Sequence, residues 1–238
     1  ASPGAAEAAR GADLLVLATP VEAMEAAARE ALPHLAAGAV VTDVGSVKGP
    51  VVAAVGPLAE RHGVPFVPGH PIAGTERAGI GAARADLFEG RVAVLTPTPA
   101  TDPAAVTRVS ELWQRLGAAV IRMDVATHDR LFAALSHLPH LVAYALLATL
   151  AGDPVAADGA VRLAGAGLRD TTRIAGSPPG LWRGICLANR EALLTALDRF
   201  EAVLQELRRA LEAGDGAALE RVFGAAKALR DRIAHDAG

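Results

Sequence analysis

Three segments of the chain set polar side chains against apolar surroundings in a way that suits chemistry. The first, residues 42–48, reads Thr-Asp-Val-Gly-Ser-Val-Lys and follows a short apolar run. It presents Ser46 where a strand ends, and ligands of open α/β sheets sit at the carboxyl ends of strands. The same residues also read as a plain strand-to-helix turn with Ser46 as an N-cap. The second, residues 69–76, reads Gly-His-Pro-Ile-Ala-Gly-Thr-Glu. Its two glycines bracket a rigid, close-approach loop. His70 stands at a strand's tip, where an imidazole near neutrality can take or give a proton; the alternative is a surface loop histidine. The third is split between Ser136-His137-Leu138-Pro139-His140 and the run from Gly165 to Arg173, which leads to Trp182. Arg173 is a fixed planar cation suited to a carboxylate, or else the i,i+3 ion-pair partner of Asp170. His137 and His140, three apart, share one helix face. No metal is expected of them, because no HExxH pattern occurs and Cys186 is the only cysteine.

These segments need elements to hold them. Asp13–Pro20 is a continuous apolar run closed by proline, as in a strand buried on both faces. Residues 39–44, 64–68, 91–96 and 119–123 read as four more strands. Between them, residues 21–32, 51–62 and 103–116 carry helical patterns, the last with Asp102 as N-cap and Pro103 in the first turn. Strand–helix alternation of this length argues for an open parallel α/β sheet. Near Val125 the character changes and nearly everything becomes helical. Residues 127–150 form a long apolar helix that Pro139 should kink, freeing the Leu135 carbonyl. Leu193, Leu197, Phe200, Leu204, Leu207 and Leu211 form an amphipathic stripe suited to helix packing, including packing on a second subunit. Gly214-Asp215-Gly216 breaks that stripe, and residues 217–234 form a last helix.

The 238 residues are 52% hydrophobic, enough for a substantial core. A net charge of -3 gives no basic stripe for nucleic acid. The longest uninterrupted apolar runs fall short of the ~20 residues of a membrane span, and no signal peptide is evident, so a cytoplasmic setting is expected. Only Lys48 and Lys227 are lysines, which reads as a coding bias toward arginine and alanine. The chain starts Ala-Ser-Pro without an initiator methionine.

Five strings occur in an order and at separations that resemble the prephenate/arogenate dehydrogenase family. They are residues 17–21 (Leu-Ala-Thr-Pro-Val), 43–48 (Asp-Val-Gly-Ser-Val-Lys), 69–76, 136–140 and 169–175 (Arg-Asp-Thr-Thr-Arg-Ile-Ala), and the likeness runs from about Gly11 to Ile233. The resemblance implies a partial Rossmann-like parallel sheet over residues 1–125, followed by an all-helical substrate and dimerisation domain over 126–238. It implies oxidative decarboxylation of prephenate or arogenate, with hydride transfer to NAD or NADP. It assigns catalysis to His70, as proton acceptor, and to Ser46, which bridges His70, the substrate hydroxyl and the nicotinamide edge. Substrate binding falls to His140, Arg173 and Ser136, with His140 and Arg173 on carboxylate. The cofactor cleft falls to Thr19, Pro20, Ser46 and Pro71. A homodimer is implied, with no nucleic-acid or membrane partner.

One departure matters. The family's Gly-x-Gly-x-x-Gly turn, which cradles dinucleotide phosphates at a helix N-terminus, does not occur in these residues. Two βα units, about 60 residues, precede the first matched strand in the family. Residues 1–238 alone are therefore expected to hold the cofactor poorly and to be inactive and poorly soluble. Two alternatives remain. A 3-hydroxy-acid dehydrogenase of similar layout would use a lysine in the helical part, where none lies between Lys48 and Lys227. A non-catalytic oligomerising remnant would not need Ser46, His70, His140 and Arg173.

Overall fold

The computed structural model describes residues 4–74, 81, 83–153 and 160–235. Thr75 and Glu76 of the second motif lie outside them. By density of contacts the chain forms two units, residues 1–193 and 194–238.

The first unit begins with α1 (Ala5–Ala9) and three parallel strands: β1 (Leu14–Leu17), β2 (Val40–Asp43) and β3 (Phe66–Val67), in that spatial order. The crossovers are α2 (Met24–Ala31) and α3 (Gly49–Arg61). β2 is buried along its whole length, which is why it reads as an unbroken apolar run. Leu17, Met24, Ala28, Val41, Val55, Leu58 and Phe66 make one core cluster between sheet and helices. A second βαβ unit pairs β5 (Val92–Leu95) parallel with β6 (Ala119–Arg122) through α4 (Pro103–Arg115). The Asp102 carboxylate accepts the Ala104 N–H at 2.9 Å and caps α4, as the sequence predicts. Its core is built on Val67, Ala93, Leu95, Val109 and Trp113.

Between these parallel units the structure departs from expectation. Residues 69–72 are not a loop but a strand, β4 (Gly69–Ile72), antiparallel to β5 with His70 opposite Val94. The Gly69 N–H is taken by the Asp43 carboxylate at 3.0 Å, and the Thr96 N–H donates to the Pro68 carbonyl at 2.9 Å. A Cβ at position 69 would stand 2.9 Å from the Asp43 carbonyl oxygen. Only glycine lets the chain run this close to the end of β2.

The helical part opens with α5 (Val125–Phe132), capped by Asp124 accepting the Thr127 N–H at 2.8 Å. A π-helical segment (Ala133–His137) follows, then α6 (Leu138–Ala151). The expected long helix is thus one continuous helical run, with a π segment inserted just ahead of Pro139. The wider π turn is where the ladder adapts to a residue with no N–H to give. The whole helical run Val125–Ala151 has 27 residues, long and apolar enough by length and composition to cross a membrane. That exceeds what the separate apolar runs suggest. Of its polar residues, His128, Asp129 and His137 are tied by hydrogen bonds into the wall described below. After it come α7 (Ala166–Thr172), a 3-10 turn (Arg173–Gly176), α8 (Pro179–Ala188) and α9 (Arg190–Ala213). The Tyr144 hydroxyl donates to the Ser177 carbonyl at 2.7 Å, and Val47, Trp182 and Ile185 form a small core of their own.

The second unit holds the C-terminal part of α9 and α10 (Gly216–His235). Gly214 turns the chain with a φ of 63°, and the Asp215 carboxylate caps α10 at the Ala218 N–H. Of the predicted stripe, Leu204 and Leu211 are 47% and 67% exposed, Leu197, Phe200 and Leu207 are half-buried and Leu193 is buried.

Candidate active site

A cleft of about 540 Å³ opens beside β4. Ser46, His70 and Pro71 line it from the sheet, and Phe132, Ser136 and His140 from the α5–π–α6 run. Arg173 and Trp182 line it from the helices that follow. Sequence motifs scattered over about 130 positions thus converge on one space.

Behind the cleft the wall is polar and buried. Asp43 and Lys48 are both fully buried and ion-paired. The Lys48 Nζ also donates to the Gly69 carbonyl at 2.5 Å, and the Asp43 carboxylate accepts the N–H groups of Gly45 and Gly69. Burial pulls the Lys48 pKa down, with Asp43 opposing. The pair therefore joins the end of β2, the turn carrying Ser46 and the start of the strand carrying His70.

A second network reaches His70 from α5. Asp129 accepts the backbone N–H of Lys48 on Oδ1 and that of Gly49 on Oδ2, both at 2.8 Å, at the N-terminus of α3. Its Oδ1 also lies 2.7 Å from the His128 Nδ1, and the His128 Nε2 lies 2.9 Å from the His70 Nδ1. Burial would raise the Asp129 pKa, but the hydrogen bonds from His128, Lys48 and Gly49 outweigh it and hold the carboxyl below its usual range. Phe132 packs on both imidazoles, with ring centroids 4.7 Å from His70 and 4.5 Å from His128. His70 is only 9% exposed; burial first, then His128, Lys48 and His137, push its pKa well below the ordinary histidine value. It stays neutral at physiological pH, with its Nε2 not engaged by this network.

The two histidines of residues 136–140 have separate fates. The His137 Nδ1 meets the Asn189 Nδ2 at 3.1 Å, and that amide also donates to the Asp129 carbonyl. Burial lowers the His137 pKa to about 4. His140 is half-buried in the cleft, with its Nδ1 2.9 Å from the Ser136 carbonyl oxygen and its ring stacked on Trp182 at 3.5 Å. Burial, and more weakly Arg173, lower its pKa. A neutral His140 whose Nδ1–H donates to the Ser136 carbonyl turns a lone pair rather than a positive charge to the cleft.

The structure does not bring Thr19 and Pro20 to this cleft. They follow β1 and are exposed, two strands from β3, roughly 10 Å across the sheet. Sequence reasoning also missed residues. His128, Asp129 and Asn189 had no assigned part, and Lys48 was quoted without a role. An adjacent His-Asp pair inside an apolar helix was the available signal. Arg91, just ahead of β5, is a further cleft cation with no sequence motif to mark it.

Comparison with known proteins gives one answer. Residues 2–122 match the model of the prephenate dehydrogenase nucleotide-binding domain, and residues 124–225 that of the prephenate dehydrogenase dimerization domain. The cyclohexadienyl dehydrogenase of Zymomonas mobilis is 37% identical over 211 residues, which are 88% of this chain and 71% of that enzyme. The prephenate dehydrogenase of Bacillus subtilis is 36% identical over 92% of this chain, which spans only 59% of that enzyme's length. The crystal structure of prephenate dehydrogenase from A. aeolicus, in complex with hydroxyphenyl propionate and NAD+, superposes with a TM-score of 0.87 at 34% identity, covering 98% of this chain and 80% of that one. That of Synechocystis arogenate dehydrogenase gives 0.77 at 33% identity, covering 93% and 79%. With both domain models matched in sequence order and a sheet-plus-helices cleft to correspond, the chain belongs to the prephenate dehydrogenase family.

Proposed function

We propose that the chain carries the substrate-handling part of a dehydrogenase that oxidatively decarboxylates prephenate or arogenate, with NAD or NADP as hydride acceptor. The carrying observation is His70, a buried neutral imidazole with one ring nitrogen tied to His128 and the other left for a ligand in a cleft that also holds Arg173. In this reading the His70 Nε2 takes the proton of the ring hydroxyl as the carbon bearing it loses hydride. Ser46, half-buried on the same wall, holds that hydroxyl in line. Arg173 holds carboxylate, and Trp182 with His140 forms a flat wall against which a six-membered ring can lie. The ring carboxylate departs as carbon dioxide, and aromatisation supplies the driving force.

Nicotinamide, when bound, receives the hydride. The residues fit its reactive end: Ser46 and Pro71 line the cleft, and Thr19 and Pro20 stand at the carboxyl end of a parallel strand, where such ligands bind. The phosphate-cradling glycine turn is not among these 238 residues. The division of labour at residues 125/126, a homodimer through the helical part and a cytoplasmic setting complete the proposal. Exposed Leu204 and Leu211, at the C-terminal end of the stripe, support the dimer.

The test is NAD(P)H formation with prephenate and with arogenate, by the whole enzyme that contains this chain. Turnover of either supports the reading; turnover of neither, with 3-hydroxy acids oxidised instead, overturns it.

A further inference from the structure

The polar wall behind His70 contains a group the reaction as described does not use. Asp129 comes from α5, yet its carboxylate is spent on three donors around the catalytic pair: the Lys48 N–H, the Gly49 N–H and the His128 imidazole. The first two belong to the turn that immediately follows Ser46. The third leads in one further step, 2.9 Å, to His70. We infer that Asp129 and His128 are positioning residues: one carboxylate sets the turn bearing Ser46 and, through His128, the ring nitrogen with which His70 meets the substrate. The inference rests on the proposed role of His70 as proton acceptor.

The logic is one of donors and acceptors. An ionised carboxylate only accepts, so the His128 Nδ1 must carry a proton. In the relay its Nε2 is the acceptor of the His70 Nδ1–H, across the 2.9 Å contact. That leaves the His70 Nε2 bare, as the acceptor of a hydroxyl proton. If His128 carried its proton on Nε2, the chain would reverse, and His70 would meet the substrate with an N–H that accepts nothing. A correctly placed base in the wrong tautomer is a poor catalyst. His128 is fully buried, with Phe132 closing over it, so water does not compete for these positions. The other titratable or charged groups near His70 are Lys48 with its partner Asp43, from the β2–α3 turn, His137 from the π segment, and, lining the same cleft, Arg91, His140 and Arg173. The contact at the His70 Nδ1 is with the His128 Nε2.

Two measurements test this on the full-length enzyme. Nitrogen NMR of ¹⁵N-histidine-labelled protein above neutral pH reads the tautomers directly. The expected result is His70 and His128 both protonated at Nδ1; a proton on the His70 Nε2 overturns the inference whatever the substrate proves to be. Steady-state kinetics then separates positioning from mere packing. His128→Leu fills the same space without an acceptor and should lower kcat by ~10²-fold with KM little changed. His128→Gln restores an amide oxygen toward His70 and should recover most of the loss. An unchanged kcat in His128→Leu, or a Gln variant no better than Leu, overturns the inference. If neither prephenate nor arogenate is turned over, the proposed function fails while the NMR result still decides the relay.

Discussion

Two of the cations around His70, Lys48 and Arg173, are housed very differently. Lys48 is fully buried, paired with Asp43 and bonded to the Gly69 carbonyl. Arg173 lies in a 3-10 turn after α7, exposed on the cleft. The same contrast holds for the histidines: His128 is fully buried and His70 nearly so, both against Phe132, whereas His140 is half-buried against Trp182. In the proposed function the buried groups hold a proton in one geometry, and the exposed ones receive an anionic ligand. A base needs a fixed tautomer and a depressed pKa, which burial supplies. A carboxylate partner needs access and a charge that burial would have made costly.

Breaking the buried side should have the larger consequences. His70→Asn removes the acceptor and is expected to lower kcat by ~10²–10⁴ with little change in KM; steady-state assays check this, and an unchanged kcat removes His70 from the mechanism. In the native enzyme the rate should fall only as pH drops well below the ordinary histidine range, because burial keeps His70 neutral until then. A pH–rate profile with its acid limb near neutrality would contradict that.

Lys48→Met leaves Asp43 as a buried charge without its partner. A loss of about 3–5 kcal/mol of unfolding free energy is expected, read from denaturant midpoints. The double change Asp43→Asn with Lys48→Met should recover part of it; a Lys48→Met protein as stable as the native one would show the pair to be dispensable.

Acid should probe the wall next. The folded His137 pKa, about 4, lies below that of an unfolded histidine, near 6.5. The unfolded chain therefore binds the proton first as pH falls. The stability tied to neutral His137 is complete above pH 6.5 and is lost on the way down to about 4, on the order of 3 kcal/mol. His137→Asn, which keeps an acceptor for Asn189, should flatten that part of the stability–pH curve. An equally steep curve in the variant would assign the effect elsewhere.

On the open side the expected effect is the smallest. Arg173→Ala should weaken substrate binding by ~1.5–3 kcal/mol, roughly 10- to 150-fold. Arg173→Lys should rescue it only partly, since an ammonium lacks the planar fork. Calorimetry that finds native affinity in Arg173→Ala would make the arginine structural and erase the contrast between wall and rim.

The sheet and its crossovers were legible because their signals are local. Apolar runs such as Leu14–Leu17 and Val40–Asp43, and the Asp102-Pro103 start of α4, depend only on neighbours in sequence. The motif residues Ser46, His70, His140 and Arg173 were picked out by their types and flanking residues, and the fold brings all four to one cleft. What the tertiary structure decided is everything that hangs on a partner far along the chain. Residues 69–72 became a strand only because β5, more than twenty positions later, supplies its ladder and Asp43 takes the Gly69 N–H. Asp129 became more than a helix residue only because the α3 N-terminus, 80 positions earlier, turns its N–H groups toward it. Thr19 and Pro20 keep their motif but stand outside the cleft, two strands from β3. Hydrogen bonds between segments so distant leave no periodicity in the sequence. They exist once burial has stripped water from both partners and made an unpaired donor too costly to keep.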